Sequence, residues 1–154
     1  SLKIRCPHTS RSKSDGLRPM NEEIETTKPE MLKWAMILTG ASLAVIIWQG
    51  MSGIGQLGYT LDGWNLGTSH KRSGEIGLLL ALAATVLFIL SKVDDSKLKG
   101  MSFGYATAWV IQIGLAHAFS GPHWLGMVHV MIAFLIFGHG LMMMPKFKSA
   151  LNTD

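Results

Sequence analysis

The chain has 154 residues, of which 48% are hydrophobic, and it carries a formal net charge of +4 at pH 7. Charged residues are concentrated in the first 33 positions, two short connections and the C-terminal tail. A water-soluble domain of this length would distribute charges along its helix faces, so this pattern excludes one. The positive balance reflects the polar arm and the connections rather than a surface for nucleic acid. The sole cysteine, Cys6, excludes a disulfide framework or a thiolate metal site within one chain.

The sequence divides into three regions. Residues 1–30 form a polar arm whose Ser, Arg, Lys and Pro content predicts disorder. Residues 31–146 hold the apolar sequence and form one transmembrane domain, and residues 147–154 form a short tail.

Four long apolar runs lie in that domain, at 34–55, 74–91, 101–119 and 124–144. Each is close to the roughly 20 residues that a helix needs to cross a hydrocarbon core. Helices are the expected elements, because a helix satisfies every backbone N–H and C=O within the segment. The third run is the weakest match to a membrane-spanning helix, since it includes the polar residues Ser102, Thr107, Gln112 and His117. We therefore expect an all-α, integral membrane four-helix bundle.

Lysine and arginine counts predict the orientation of the bundle. The arm through Lys33 carries seven, the second connection three and the tail two, whereas the first connection carries only Lys71 and Arg72. Both termini are therefore expected in the cytoplasm, N-in and C-in, in the plasma membrane of a prokaryote. The glycine-rich first connection is expected to be an irregular crossover, with Trp48, Trp64 and Trp124 as interfacial aromatic residues.

The two halves of the domain resemble one another. Gln49 near the end of the first helix precedes His70 by 21 residues, and Gln112 in the third precedes His129 by 17. A small residue, Gly74 or Ala133, follows each histidine by four positions. The pattern predicts two pseudo-repeated helical hairpins that place His70 and His129 at similar depth, facing each other across the bundle.

Paired histidines on facing helices are typical of bis-imidazole ligation of a haem iron. His70 and His129 are therefore the predicted metal ligands, and Gly74, Gly77, Gly114 and Ala133 are expected to let a flat macrocycle approach. The alternative is structural: His70 would be a boundary residue exposed to water, and His129 would bind a neighbouring helix.

Other polar residues in the apolar runs are secondary candidates. Gln49 and Gln112 are expected to hydrogen-bond either between helices or to the cofactor. His117 would support a haem propionate or relay protons, or would simply be an interfacial histidine. His123 lies about 240° around the helix from His129 and cannot face the same centre. His139, on the predicted cytoplasmic side, is interpreted as a packing residue with a hydrogen bond.

The stretches "SHKRSGEIG" and "WVIQIGLAHAFSGPHWLGMVHVMIA" resemble one four-helix half of the haem A synthase family. The chain also looks like small four-helix bacterial and archaeal membrane proteins with the same Gln…His pattern. The resemblance covers roughly residues 34–145 and implies that His70 and His129 ligate a b-type haem. The synthases carry a glutamate three residues before the first histidine, where this chain has Gly67, and only one half is present.

These features predict a membrane protein that binds one haem b near its outer face and acts in electron transfer or in haem and oxidase assembly. Its expected partners are the lipid bilayer and either a second copy or a larger complex such as a respiratory oxidase. The alternative is a cofactor-free accessory subunit of a larger membrane complex. The sequence does not decide whether the chain is an enzyme.

Overall fold

The computed structural model describes residues 28–57, 62–63, 65–118 and 124–152. Four α-helices are present in these ranges: α1 Pro29–Gly53, α2 Leu66–Leu90, α3 Ser96–His117 and α4 Trp124–Leu151. A short 3-10 turn, Ile54–Leu57, follows α1. The predictions for the arm before Lys28, for Trp64 and for His123 lie outside the described residues.

The helix ends follow ordinary capping chemistry and lie beyond the apolar runs. α1 begins with Pro29, whose missing N–H costs nothing in the first turn. The side chains of Asn65 and Asp95 accept hydrogen bonds of 2.9 Å from the backbone N–H three residues on, which caps α2 and α3. α4 continues through Pro145 to Leu151, so most of the segment assigned to a tail is helical.

The four helices form a closed ring in chain order. Each packs against the next, and α1 also packs against α4. Within the described residues, the backbones of α1 and α3, and those of α2 and α4, do not approach each other closely, so these pairs lie on the diagonals and meet through side chains. The backbone N–H of Lys28 donates to Ser91 O at 2.9 Å, which joins the start of α1 to the end of α2. Phe88 and Phe147, near the ends of α2 and α4, meet edge to face with ring centres 6.2 Å apart.

The outer surface of the bundle is apolar, and its interior contains polar as well as apolar side chains. Polar side chains are buried inside it: Thr39, Ser42, Ser52, Thr85, Ser91, Ser102 and Gln112. Large apolar side chains point outward, with Phe134 73% exposed, Met127 71% and Leu79 66%. α1, α2 and α4 are long and apolar enough to cross a membrane, whereas α3 falls outside that group.

The buried positions of the two hairpins coincide at constant shifts in numbering. A shift of 63 residues relates buried positions of α1 and α3: Ala35 and Leu98, Thr39 and Ser102, Ser42 and Tyr105, Leu43 and Ala106, Ile46 and Trp109. A shift of 59 residues relates those of α2 and α4: Gly77 and Ile136, Ala81 and Gly140, Ala84 and Met143, Phe88 and Phe147. The same two shifts relate Gln49 to Gln112 and His70 to His129. Equivalent faces of the two hairpins therefore line the bundle axis.

Candidate functional site

The imidazole rings of His70 and His129 meet inside the bundle. His70 lies in the second turn of α2 and His129 in the second turn of α4, which are diagonal helices. Their ring centres are 6.3 Å apart and their planes are tilted by 54°. A metal ion bonded at about 2 Å to one nitrogen of each ring would hold the ring centres roughly 6 Å apart. The spacing therefore suits one metal shared by both rings, and the predicted meeting of the two histidines is observed.

His70 is held through one of its two nitrogens. Its Nδ1 lies 3.1 Å from the Gln49 carbonyl oxygen and 3.3 Å from Ser52 Oγ. A carbonyl oxygen can only accept, so Nδ1 carries the proton and donates. Nε2 is then the nitrogen with the lone pair. Hydrogen bonding of the second nitrogen to a carbonyl is the usual arrangement for a metal-ligating histidine.

The Gln49 side chain joins α1 to the helix that carries His70. Its Nε2 donates to His70 O and to Ser73 Oγ, both at 2.6 Å. Ser73 Oγ in turn donates to Ser69 O at 2.7 Å, and Trp48 Nε1 donates to Ser69 Oγ at 3.2 Å. These bonds fix the position of α2 relative to α1, and Gln49 acts here between helices rather than on the imidazole.

Gln112 contacts His129 directly. The buried Gln112 side chain places Nε2 3.1 Å from His129 Nε2. An amide nitrogen can only donate, so His129 Nε2 is the acceptor in this bond. The structure thus brings together four of the five predicted site residues: Gln49, His70, Gln112 and His129.

The fifth, His117, lies apart from them. It is exposed in the last turn of α3, and its Nδ1 donates to Ile113 O at 2.9 Å within the same helix. His139 has the predicted packing role: its Nε2 donates to Met101 O at 2.8 Å, and its ring stacks on Tyr105 with centres 6.2 Å apart. His139 is therefore a contact between α3 and α4.

The prediction that glycines admit a macrocycle is wrong for Gly77 and stays a prediction for Gly114. A Cβ on Gly77 would overlap the indole of Trp109, which already fills the space beside the glycine. Gly114 is exposed, and nothing lies within 4 Å of where its Cβ would be. Gly74 does face the site region, since its Cβ would stand 3.5 Å from Gln49 Nε2.

Sequence reasoning missed three residues around the histidines. Ser52 and Ser73 bind His70 and Gln49, and Trp109 lies on α3 one turn from Gln112. Ser73 could have been found, because it follows His70 by three positions and so lies on the same side of the helix. Trp109 could not, since its contact with Gly77 depends on how α2 and α3 are aligned.

The described residues contain no cluster of three or more His, Cys, Asp or Glu side chains able to hold a metal ion. Two imidazoles are therefore the donors that this site offers. A bare ion with four to six ligands would lack partners. A group that brings its own donor atoms would need only the two imidazoles from the protein.

Comparison of the chain with protein-family models, curated proteins and solved structures gave no significant match. The resemblance to haem A synthase consequently rests on the two sequence stretches that carry it, and it stays a prediction.

Proposed function

We propose that this chain is an integral membrane protein that binds one b-type haem through His70 and His129. The observation that carries the proposal is the pair of imidazole rings, 6.3 Å apart, that extend from diagonal helices into the bundle. The described residues contain no group of three or more His, Cys, Asp or Glu side chains that could bind a metal elsewhere.

The membrane location is supported by the apolar outer surface of the bundle. α1 and α2 have 25 residues each and α4 has 28, so each exceeds the thickness of a hydrocarbon core of about 30 Å. Outward-facing Phe134, Met127 and Leu79 are well solvated by lipid tails and poorly by water. α3 packs against both α2 and α4, so it would cross the membrane beside them, with its polar Ser102 and Gln112 turned inward.

The charge distribution supports the N-in, C-in orientation. The start of α1 and the end of α2 adjoin through Lys28 and Ser91, so the basic arm and the basic second connection share one end of the bundle. Twelve of the fourteen Lys and Arg residues belong to the arm, this connection and the tail. Under the positive-inside rule this end of the bundle would face the cytoplasm, and the histidine pair would then lie towards the outer face.

Haem bound between these residues would supply one-electron redox chemistry. His70 and His129 would hold the iron, and the Gln49 carbonyl would orient His70. Electron transfer, or haem handling during oxidase assembly, is the function that such a site supports. We do not assign haem hydroxylation, because Gly67 stands where the synthases that the chain resembles carry a glutamate.

The full chain, purified in mild detergent and titrated with haemin, tests the proposal. A one-to-one complex with a sharp Soret band that shifts on reduction supports it. The double variant His70→Ala, His129→Ala should lose this uptake, whereas His117→Ala should retain it, because His117 is exposed and bonded to its own helix. Wild-type protein that takes up no haem and co-purifies stoichiometrically with other membrane subunits would support the accessory-subunit alternative.

A further inference from the structure

The two imidazoles carry their lone pairs on the same nitrogen. His70 Nδ1 donates to the Gln49 carbonyl at 3.1 Å, and His129 is likewise hydrogen-bonded to the backbone of Gln112. Because His129 Nε2 accepts from the Gln112 side-chain amide at 3.1 Å, the ring proton of His129 is also on Nδ1. Both rings therefore have a donor lone pair on Nε2, and their centres lie 6.3 Å apart.

The number of donors in this pair selects ions that need only two ligands. Within the described residues, no group of three or more His, Cys, Asp or Glu side chains could hold an ion. Zn²⁺ is usually bound by four ligands, and Ca²⁺ and Mg²⁺ by six or more oxygens, so two imidazoles satisfy none of them. Imidazole is a good ligand for copper, and the closed-shell monovalent ions Cu⁺ and Ag⁺ commonly take two ligands in a line. Two collinear bonds of about 2 Å would hold the ring centres roughly 6 Å apart, close to the observed spacing.

The surroundings of the pair also favour an ion of low charge. His70 and His129 lie on α2 and α4, two helices that are long and apolar enough to cross a membrane. The cost of removing an ion from water rises with the square of its charge, so a divalent ion costs about four times as much as a monovalent ion of the same size. The backbone carbonyls, the Ser52 hydroxyl and the Gln112 amide that bond to the rings are neutral, so they do not offset a second charge.

From the donor number, the ring spacing and the neutral surroundings, we infer that the chain without haem binds one Cu⁺ ion between His70 Nε2 and His129 Nε2. This site goes beyond the proposed haem binding and does not depend on it. Haem and Cu⁺ compete, because each uses both Nε2 lone pairs. Cu⁺ also replaces the hydrogen bond from the Gln112 amide to His129 Nε2, so this amide lowers the affinity for the ion.

Titration of the haem-free full chain in mild detergent tests the inference. Cys6→Ser is the background for every sample, so that the sole thiol of the chain does not bind the ion. Cu⁺ is kept reduced with ascorbate and titrated against a chromogenic Cu⁺ chelator, and Ag⁺ is a second probe that needs no reductant. We expect one ion per chain, which excess Zn²⁺ does not displace. X-ray absorption spectroscopy of the Cu⁺ complex should show two nitrogen neighbours, and a third or fourth ligand would overturn the two-coordinate site.

Histidine variants identify the ligands. His70→Ala and His129→Ala should each lose the ion, because one imidazole competes poorly with the chelator. An ion retained by either variant would overturn the shared site. His117→Ala is the control and should bind like the parent protein, because the His117 ring is exposed and bonded to Ile113 of its own helix.

The effect of the Gln112 amide has its own variant. Gln112→Leu removes the donor to His129 Nε2 and should raise the affinity for Cu⁺ about threefold to fivefold, as expected for one net hydrogen bond. A lower affinity would identify the buried Gln112 Oε1, which has no hydrogen-bond partner within the described residues, as a third ligand and would contradict the inference. The matched control is Gln49→Leu, whose side chain bonds to His70 O and Ser73, so the affinity should not change.

Uptake of haem and uptake of Cu⁺ can fail independently. Protein that takes up haem but neither Cu⁺ nor Ag⁺ overturns this inference and leaves the proposed function in place. Protein that takes up Cu⁺ but no haem overturns the proposed function and supports the inference. If both bind, haemin should displace Cu⁺, and full binding of both at once would show that the ion does not lie between His70 and His129.

Discussion

In the first hairpin, α1–α2, the glutamine near the end of α1 binds the backbone of its partner helix, whereas in the second, α3–α4, the equivalent glutamine binds the imidazole. The cause is how closely the helices of each hairpin pack. α1 and α2 pack more closely together than α3 and α4 do. Equivalent sequence positions thus determine which faces meet, and local helix separation determines which atoms bond.

Gly55 contributes to the closer contact in the first hairpin. It lies in the 3-10 turn after α1, against Leu66 at the start of α2, where a Cβ would overlap the Leu66 side chain. The absence of a side chain at residue 55 lets the end of α1 approach the start of α2. Gln49, one turn before the end of α1, can consequently reach the backbone of His70.

The largest effect is expected at the point where the hairpins interlock. Gly77→Ala should lower the free energy of unfolding by about 3 kcal/mol, because the new Cβ overlaps the buried Trp109 indole and forces it to move. Unfolding in detergent, followed by circular dichroism, measures this. Gly138→Ala in α4 is the control: it has open space around its Cβ position, and its stability should equal or exceed that of wild type.

A comparable effect is expected at the aromatic pair. Phe88→Ala and Phe147→Ala should each cost roughly 3 kcal/mol of unfolding free energy, since each removes one side of the same buried contact. The double variant should cost less than the sum of the two, because the rings touch. Strongly unequal single losses, or strict additivity, would contradict the equivalence of the two hairpins at this end of the bundle.

Gln49→Leu tests the difference between the hairpins directly. It removes two hydrogen bonds from α1 to α2 and should lower the unfolding free energy by about 1 kcal/mol. Thermal unfolding of the apoprotein measures it. Ser73→Ala, which removes one of the two acceptors, should have a smaller effect; a larger loss in Ser73→Ala than in Gln49→Leu would show that the amide is not the main link.

The smallest effect is expected where α1 and α3 meet across the axis. Ser42 Oγ and Tyr105 Oη lie 2.6 Å apart, and they occupy equivalent positions of the two helices. Tyr105→Phe should cost roughly 0.6 kcal/mol, the typical value of one hydrogen bond between membrane helices, because Ser42 Oγ retains its bond to Thr39 O. A loss several times larger would mean that the hydroxyl serves a further contact.

The sequence predicts the number of helices and the meeting of His70 with His129, because apolar runs of spanning length and a repeated Gln…His spacing are visible without coordinates. Helix ends were less predictable. α2 begins eight residues before its apolar run, at Leu66, because a helix continues into polar sequence when a cap such as Asn65 is present. Hydropathy marks the part suited to lipid and not the part that is helical.

The contacts of individual glycines and glutamines were beyond sequence reasoning. Gly77 and Gly74 look alike in the sequence, yet one faces an indole and the other faces Gln49 and Ile113. The side chains of Gln49 and Gln112 bond to different groups because the two helices of each hairpin are separated by different distances. That separation depends on contacts between helix ends, such as that of Gly55 with Leu66. These are properties of pairs of surfaces, and a single chain read residue by residue does not specify them.

The position of the Trp109 indole has a consequence for the interior of the bundle. The indole is almost fully buried, rests against Gly77 and lies one turn of α3 from Gln112, which contacts His129. The indole therefore joins the packing at Gly77 to the polar contact between Gln112 and His129, and a smaller side chain at residue 109 would leave a cavity one turn from that contact.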